Sequence, residues 1–260
     1  MKRLREILVV SVLVAVCTAW VCTAHTYAAY YDCSNGRETV LTIINADAFQ
    51  TDYTLALYSP IGTRIGEAAG ALAPYASAEH VVGDLLVPGW EADACGRADR
   101  PKNKGQLVLC RGGLALVEAP ASLLVRVAFI DEGAAPIVAN VDQAVPADRD
   151  HVNYWYAVGY ENTSTRRTRL TIANPYNERM GATFSLYDAD GDLKNMVRLY
   201  PIEFEVGTYD ISDYFADSEE TTGVIDIYAS FPIVVVVEYM DEDGTLLNLE
   251  QTSHFHFFLD

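Results

Sequence analysis

Two halves of the sequence match each other in the same order, and this internal duplication limits what the chain can fold into. Residues 39–62 lie without gaps over residues 168–191, at an offset of 129, and nine of the 24 aligned positions are identical. A second ungapped match places residues 113–131 over residues 223–241, now at an offset of 110. Self-similarity of this kind is the signature of a repeated structural unit. The chain is therefore predicted to contain two copies of one fold.

Each copy has the sequence pattern of β-structure. Residues 39–45 and 168–174 alternate with the period of two that is typical of strands. Residues 233–237 form an apolar run that is too short to span a membrane and too β-branched to favour a helix. Turn sequences lie on both sides of this run. Many short strands separated by turns predict an all-β chain of two tandem β-sandwich domains.

The first 24 residues have the order of a secretory signal peptide. Basic residues precede an apolar segment, and small residues follow it. A single membrane anchor is the alternative, but the apolar segment is short for a membrane span. We therefore predict an exported protein, in the periplasm, on the cell surface or outside the cell, with no stable membrane span after cleavage.

The duplication sets the predicted domain boundaries. After the signal peptide (1–24), copy 1 covers residues 25–146 and copy 2 covers residues 147–260. A third, shorter match, of residues 140–143 with residues 248–251, extends the alignment towards the end of each copy.

Copy 1 contains 19 additional residues, within a predicted insertion at residues 85–112. The insertion holds Cys95 and Cys110, and copy 2 has no cysteine. In an oxidising compartment these two residues are expected to form a disulfide, which for a loop of this length is worth about 3 kcal/mol. Cys33 is then the odd thiol, and a Cys33–Cys110 bridge is the alternative.

The charge of the chain excludes one class of partner. The formal net charge is −18, whereas phosphate-backbone binding depends on Lys and Arg, so we expect no nucleic-acid partner. Half of the residues are hydrophobic, which argues against disorder.

Two groups of residues have the spacing of weak metal sites. Asp188, Asp190 and Asp192 are spaced as in a calcium loop, but the distal Glu of an EF-hand is missing, so an Asp-Gly turn is the favoured interpretation. His254 and His256 would share one face of a strand, without a nearby third ligand for zinc. We therefore expect no metal and no cofactor, with calcium as the alternative.

An aromatic segment raises the question of a carbohydrate ligand. Tyr154, Trp155 and Tyr156 are consecutive and could stack on a sugar. Alternation along a strand places Tyr154 and Tyr156 on one face and Trp155 on the other. Core packing is the favoured interpretation, and a ligand platform is the alternative.

Copy 2 resembles a known family in its turn and core positions. Residues 170–175 (LTIANP), 186–188 (LYD) and 229–235 (ASFPIVV) are similar to the bacterial sensory rhodopsin transducer family and to related repeated sandwich domains of secreted bacterial proteins. The resemblance implies a small β-sandwich that assembles into oligomers and has a likeness to carbohydrate-binding modules. A signalling role does not follow for an exported chain.

One strand of copy 2 is more apolar than a solvated sheet requires. Val234 and Val236 occupy the face on which copy 1 has Leu124 and Arg126. We predict that this face is covered by copy 1, by another subunit or by the tail at residues 254–258. Phe255 and Phe257 are the tail residues expected at this interface.

The sequence favours binding over catalysis. It has no Gly-x-Ser-x-Gly elbow, no phosphate-binding glycine loop and no His-Glu-x-x-His motif. We predict a non-catalytic exported protein that acts through binding or assembly, with a protein partner or self-association. A carbohydrate- or divalent-cation-binding module is the first alternative, and a carboxylate-based hydrolase is the second.

Overall fold

The structure is a computed structural model that describes residues 24–34, 36–90, 106–107, 112–141, 144–145, 153–215, 221–252 and 256–258. Within these residues the chain is almost entirely β-structure. No helix in this part of the chain is long and apolar enough to cross a membrane.

The strands of copy 1 and its insertion are short and joined mostly by turns. They are β1 (His25–Asp32), β2 (Glu38–Asn45), β3 (Thr51–Tyr58), β4 (Arg64–Leu72), β5 (Ser77–Val81), β6 (Gln106–Leu107), β7 (Gly112–Ala119), β8 (Leu123–Ile130) and β9 (Ile137–Val141). A short helix, α1 (Val82–Leu85), follows β5.

The strands of copy 2 repeat this order. They are β10 (Asn153–Asn162), β11 (Arg166–Ala173), β12 (Ala182–Asp188), β13 (Leu193–Leu199), β14 (Val206–Asp210), β15 (Thr221–Ala229), β16 (Val234–Asp241), β17 (Leu246–Thr252) and β18 (His256–Phe258). A 3₁₀ turn (Ile211–Tyr214) follows β14, where copy 1 has α1.

Each copy is built from two antiparallel sheets with matching strand orders. In copy 1, sheet A1 has the order β1-β7-β3-β4 and sheet B1 the order β5-β2-β8-β9. In copy 2, sheet A2 has the order β13-β12-β15-β10-β18 and sheet B2 the order β17-β16-β11-β14-β6. The predicted all-β sandwich architecture is confirmed. Strands with alternating burial, such as β3 and β8, direct one set of side chains into the core.

Two asparagines at equivalent positions hold the same loop in both copies. The Asn45 side-chain amide donates to the carbonyls of Phe49 (2.7 Å) and Ala73 (3.0 Å). Asn174 donates in the same way to the carbonyls of Glu178 (2.6 Å) and Ile202 (2.9 Å). Both side chains are buried and donate hydrogen bonds to carbonyls of the loop. The loop geometry therefore explains why both copies have asparagine at this position.

The third sequence match does not correspond to the strand register. Arg126 on β8 pairs with Asn140, whereas its counterpart Val236 on β16 pairs with Gln251. The structural offset of β9 and β17 is therefore 111 residues, not the 108 of the sequence match. A shift of three residues reverses the face of every side chain on a strand. Asn140 is thus the structural counterpart of Gln251, not of Asn248.

The insertion of copy 1 contributes to copy 2. The backbone of β6 pairs with β14, with Gln106 opposite Tyr209 and Leu107 opposite Thr208. The insertion therefore adds the end strand of sheet B2. Cys95 and Cys110 lie outside the described residues, so their predicted disulfide stays a prediction. Among the described residues Cys33 carries a free thiol, and burial raises its pKa to about 11.

Candidate interaction surface

The outer face of sheet B2 packs against copy 1. Val234 and Val236 are buried there, in one hydrophobic cluster with copy 1 side chains such as Tyr30. Their neighbours Val235 and Val237 belong to the separate core of copy 2. Strand β16 is therefore buried on both faces, and copy 1 covers the second face.

Gln251 closes an open strand edge of copy 1. Strand β1 is the end strand of sheet A1, so one row of its backbone groups lacks a partner strand. The Tyr30 N–H donates to Gln251 Oε1 (3.3 Å), and Gln251 Nε2 donates to the Ala28 carbonyl (3.2 Å). The Gln251 amide thus makes two hydrogen bonds to β1 that a neighbouring strand would otherwise make.

The turn between β3 and β4 docks against the loop before β14. The Val206 N–H donates to the Pro60 carbonyl (2.9 Å), and the rings of Tyr58 and Phe204 stack at 4.3 Å. Gly62 has φ +80°, and a Cβ there would lie 2.1 Å from the Glu203 carbonyl oxygen. Only glycine fits this approach of the two copies.

A buried cluster of charges lies within the same interface. Arg37 pairs with Asp32 (2.8 Å) and Asp131 (2.7 Å) in copy 1 and with Glu238 (3.2 Å) in copy 2. Arg169 lies 3.6 Å from the other oxygen of Glu238. Three carboxylates thus face two guanidinium groups, so the fully ionised cluster carries one excess negative charge.

Glu238 is the acid whose protonation is favoured. Its burial raises its pKa to about 7, and the nearby Asp32 carboxylate adds to this shift, while Arg169 and Arg37 oppose it. The Tyr30 hydroxyl is buried beside this cluster, and burial raises its pKa as well. The effect of burial prevails because desolvation of a fully buried carboxylate can exceed the attraction of its partners.

Copy 2 contains the same ion pair in an open position. Arg166 and Glu161 are the repeat counterparts of Arg37 and Asp32, and they pair at 3.1 Å. Thr168 fixes this end of β10, because its hydroxyl accepts from the Glu161 N–H (2.8 Å) and donates to the Glu161 carbonyl (2.9 Å). The Arg166 side chain is 55% exposed, whereas that of Arg37 is 9% exposed.

An open cleft of about 720 Å³ lies at this end of copy 2. Its lining includes Gly159, Glu161, Arg166, Val224, Leu247 and Glu250. Gly159 stands where copy 1 has the buried ring of Tyr30, so no large side chain fills the space. Ala157 and Gly159 on β10 are exposed, whereas their counterparts on β1 are covered by copy 2.

Two of the three residues of the aromatic segment lie in the core. Tyr154 and Tyr156 are buried in the core of copy 2, and neither ring offers a face to a sugar. The Tyr156 hydroxyl accepts from the Ile233 N–H (2.8 Å), as the Tyr27 hydroxyl accepts from the Leu123 N–H (2.8 Å) in copy 1. The Trp155 indole N–H donates to Asp226 on the outer face of sheet A2. The two tyrosines therefore pack in the core, as the favoured interpretation has it, and a ligand platform at Trp155 stays a prediction.

Replacing either repeated tyrosine by phenylalanine should destabilise its own copy. Tyr27→Phe and Tyr156→Phe each leave a buried backbone N–H without a partner, which we expect to lower the free energy of unfolding by about 1–3 kcal/mol. The control is Tyr228→Phe, on the exposed face of the same sheet as Tyr156, for which we expect less than about 0.5 kcal/mol. Urea denaturation measures the three variants, and equal effects would contradict this role.

Asp188 organises a turn. Its Oδ1 accepts from the N–H groups of Asp190 (3.0 Å) and Asp192 (2.9 Å), and its Oδ2 pairs with Lys194 Nζ (2.9 Å). Within the described ranges, no group of three or more His, Cys, Asp or Glu side chains is placed to hold a metal ion.

The remaining predicted residues are not tested. His254 and Phe255 lie outside the described residues. His256 and Phe257 belong to β18, whose backbone pairs with Trp155 and Tyr154 on β10. The pairing places residues 256–258 at the end of sheet A2, and not on the face of sheet B2 that copy 1 covers.

Four interface residues were not predicted from the sequence: Arg37, Glu238, Gln251 and Phe204. The signal for Glu238 was present, since a carboxylate follows directly on the apolar run of β16. A charge in such a strand indicates a paired, buried site. The signal for Gln251 was obscured by the misaligned third match.

Comparisons with known proteins give only distant likeness. No family model matches the chain, and no curated protein matches it. Among solved structures, a β-glucuronidase from Bacteroides uniformis is 14% identical, with a TM-score of 0.17, over 90% of this chain and 26% of that chain. A structure of the infectious bursal disease virus Gx strain is 9% identical, with a TM-score of 0.17, over 84% of this chain and 57% of that chain. The resemblance to the transducer family stays a prediction.

Proposed function

We propose that the protein is a non-catalytic, exported binding or assembly protein that engages a protein partner through the open end of copy 2. The observation that carries this proposal comes from copy 1. Its equivalent end is covered by a protein surface of the same chain, the outer face of sheet B2. In the described part of copy 2, β18 pairs with residues 153–155 of β10, and the following residues Ala157 and Gly159 are exposed.

The properties of the open end support a protein partner. The β10 edge at residues 157–159 offers backbone groups to a partner, as the edge of β1 offers its groups to Gln251. Val224 and Leu247 expose apolar surface beside this edge. A contiguous surface of edge backbone and apolar side chains is typical of an interaction site.

Export is proposed from the signal-peptide pattern of residues 1–24. We propose that the protein is not an enzyme because its buried charge cluster stabilises the contact between the two copies. Arg37 is committed to three carboxylates there, and copy 2 covers the cluster.

Photo-crosslinking in the cells that produce the protein tests this proposal. A photo-reactive amino acid in place of Ala157 would lie on the β10 edge, and one in place of the exposed Met196 on β13 is the control. We expect a discrete covalent adduct from position 157 and none from position 196. The proposal fails if position 157 gives no adduct above that control.

A further inference from the structure

Building on the proposed function, we infer that the partner at the open end of copy 2 is a second copy of this chain, which docks the outer face of its sheet B1 there. The contact would repeat, between chains, the contact that joins copy 1 to copy 2 within one chain. The chain would then associate head to tail.

The contact between the two copies involves two kinds of surface, and each copy contributes one kind to it. Copy 2 contributes the outer face of sheet B2, and copy 1 contributes the β1 edge with the β3–β4 turn. The outer face of sheet B1 and the β10 edge with the β12–β13 turn are the unused counterparts. Since the two copies share one fold, the unused surfaces are built from the corresponding strands and turns, and a contact between them is heterologous.

The aromatic contact of the interface has counterparts on the unused surfaces. Tyr75 is the repeat counterpart of Phe204, and both have the rare left-handed backbone, with φ 58° and 54°. Phe204 is packed on Tyr58, whereas Tyr75 is 72% exposed. Tyr187, at the β12–β13 turn, is the counterpart of Tyr58. The turn is held in the same way in both copies, since the N–H of Tyr75 donates to Asp47 and that of Phe204 to Tyr176. It therefore presents the exposed Tyr75 ring in the position from which Phe204 stacks on Tyr58.

The amide that closes the strand edge also has a counterpart. Asn140 occupies the register position of Gln251 and lies exposed on β9. In the proposed contact its amide, which is one methylene shorter than that of Gln251, faces the Gly159 N–H and the Ala157 carbonyl. Among the described residues, Asn140 accepts a long hydrogen bond from Arg126 Nε, at 3.4 Å, and its side chain is exposed.

Exposed apolar side chains coincide with the two surfaces. Leu124 and Val138 are the structural counterparts of the buried Val234 and Leu249, and they are 46% and 48% exposed. On the opposite surface Leu247 is 48% exposed. Apolar side chains are expected on both surfaces if the surface of one chain buries that of another.

Charged side chains lie on both surfaces. Arg126 replaces Val236 on the outer face of sheet B1, and Glu79 lies two strands away in the same row of that sheet. The cleft of copy 2 is lined by Glu161, Asp188, Glu250 and Arg166, and Lys194 pairs with Asp188. In the proposed contact Arg126 pairs with a carboxylate of this cleft, which orients the two chains.

The test uses one variant of each surface. Leu124→Glu places an acid opposite the acidic cleft, and Leu247→Arg places a base opposite Arg126. Both positions are half exposed, so the fold should tolerate them. Met196→Glu, on β13, is the matched control. Sedimentation velocity of the purified exported protein over a hundredfold concentration range measures association, and circular dichroism verifies folding.

We expect wild type and Met196→Glu to associate with rising concentration and each surface variant alone to remain monomeric. A mixture of the two surface variants should form a one-to-one dimer and no larger species, because it contains one intact pair of surfaces. Homodimers of either variant alone would indicate a symmetric contact and overturn the inference.

A monomeric wild type at all concentrations would also overturn the inference. In that case, an adduct from position 157 in cells with a different protein would leave the proposed function standing. If neither association nor an adduct occurs, both proposals fail.

Discussion

Replacing Arg37 with alanine is expected to be the most destabilising change considered for this protein, lowering the free energy of unfolding by about 3–5 kcal/mol. Arg37 is nearly buried and pairs with Asp32, Asp131 and Glu238. Without it, three carboxylates share an interface in which Arg169 is the remaining base. The cost arises mainly from leaving buried charges without a partner.

The duplication supplies a matched control for this variant. Arg166→Ala removes the counterpart pair with Glu161, which is exposed, so we expect a loss of about 0–1 kcal/mol. Both variants should be measured by urea denaturation at pH 8, where Glu238 is ionised. Equal losses would contradict the view that burial by copy 2 makes the difference. A loss below about 1 kcal/mol for Arg37→Ala would do the same.

The fold class was predictable because apolar residues alternate along most strands. Strands β2, β3 and β8 bury β-branched, leucine or aromatic side chains on a period of two. Strand β4 (RIGEAAGAL) was not predicted, since glycine, alanine and glutamate have weak strand preferences. It forms a strand because β3 pairs with it along its length, although its own sequence does not indicate a strand.

The interface was predictable only in part. The excess of apolar residues on β16 indicated a covered face, but not which surface covers it. Gln251 and Arg37 depend on groups that are more than 200 positions away in sequence, Tyr30 and Glu238. Such contacts leave no local pattern, because a polar residue destined for a buried pair resembles an exposed one until its partner is placed.

The pH dependence of stability should identify Glu238 as a protonated group of the folded state. Its pKa is raised to about 7, whereas a glutamate in an unfolded chain has a pKa of about 4.3. Between these values the folded state binds a proton that the unfolded state does not. The contribution of Glu238 is therefore fully present below about pH 4 and is lost as the pH rises to about 7. The total is on the order of 4 kcal/mol, from about 2.7 pKa units at about 1.36 kcal/mol each.

The variant Glu238→Gln isolates this contribution. Glutamine keeps the size of the side chain and an oxygen for Arg37, but it cannot ionise. Other carboxylates titrate in both proteins, so the informative quantity is the unfolding free energy of wild type minus that of the variant. We expect this difference to fall by about 3 kcal/mol between pH 4.5 and pH 7.5. A constant or rising difference would mean that Arg37 and Arg169 hold Glu238 ionised throughout. The attraction between the charges, and not desolvation, would then dominate the interface between the two copies.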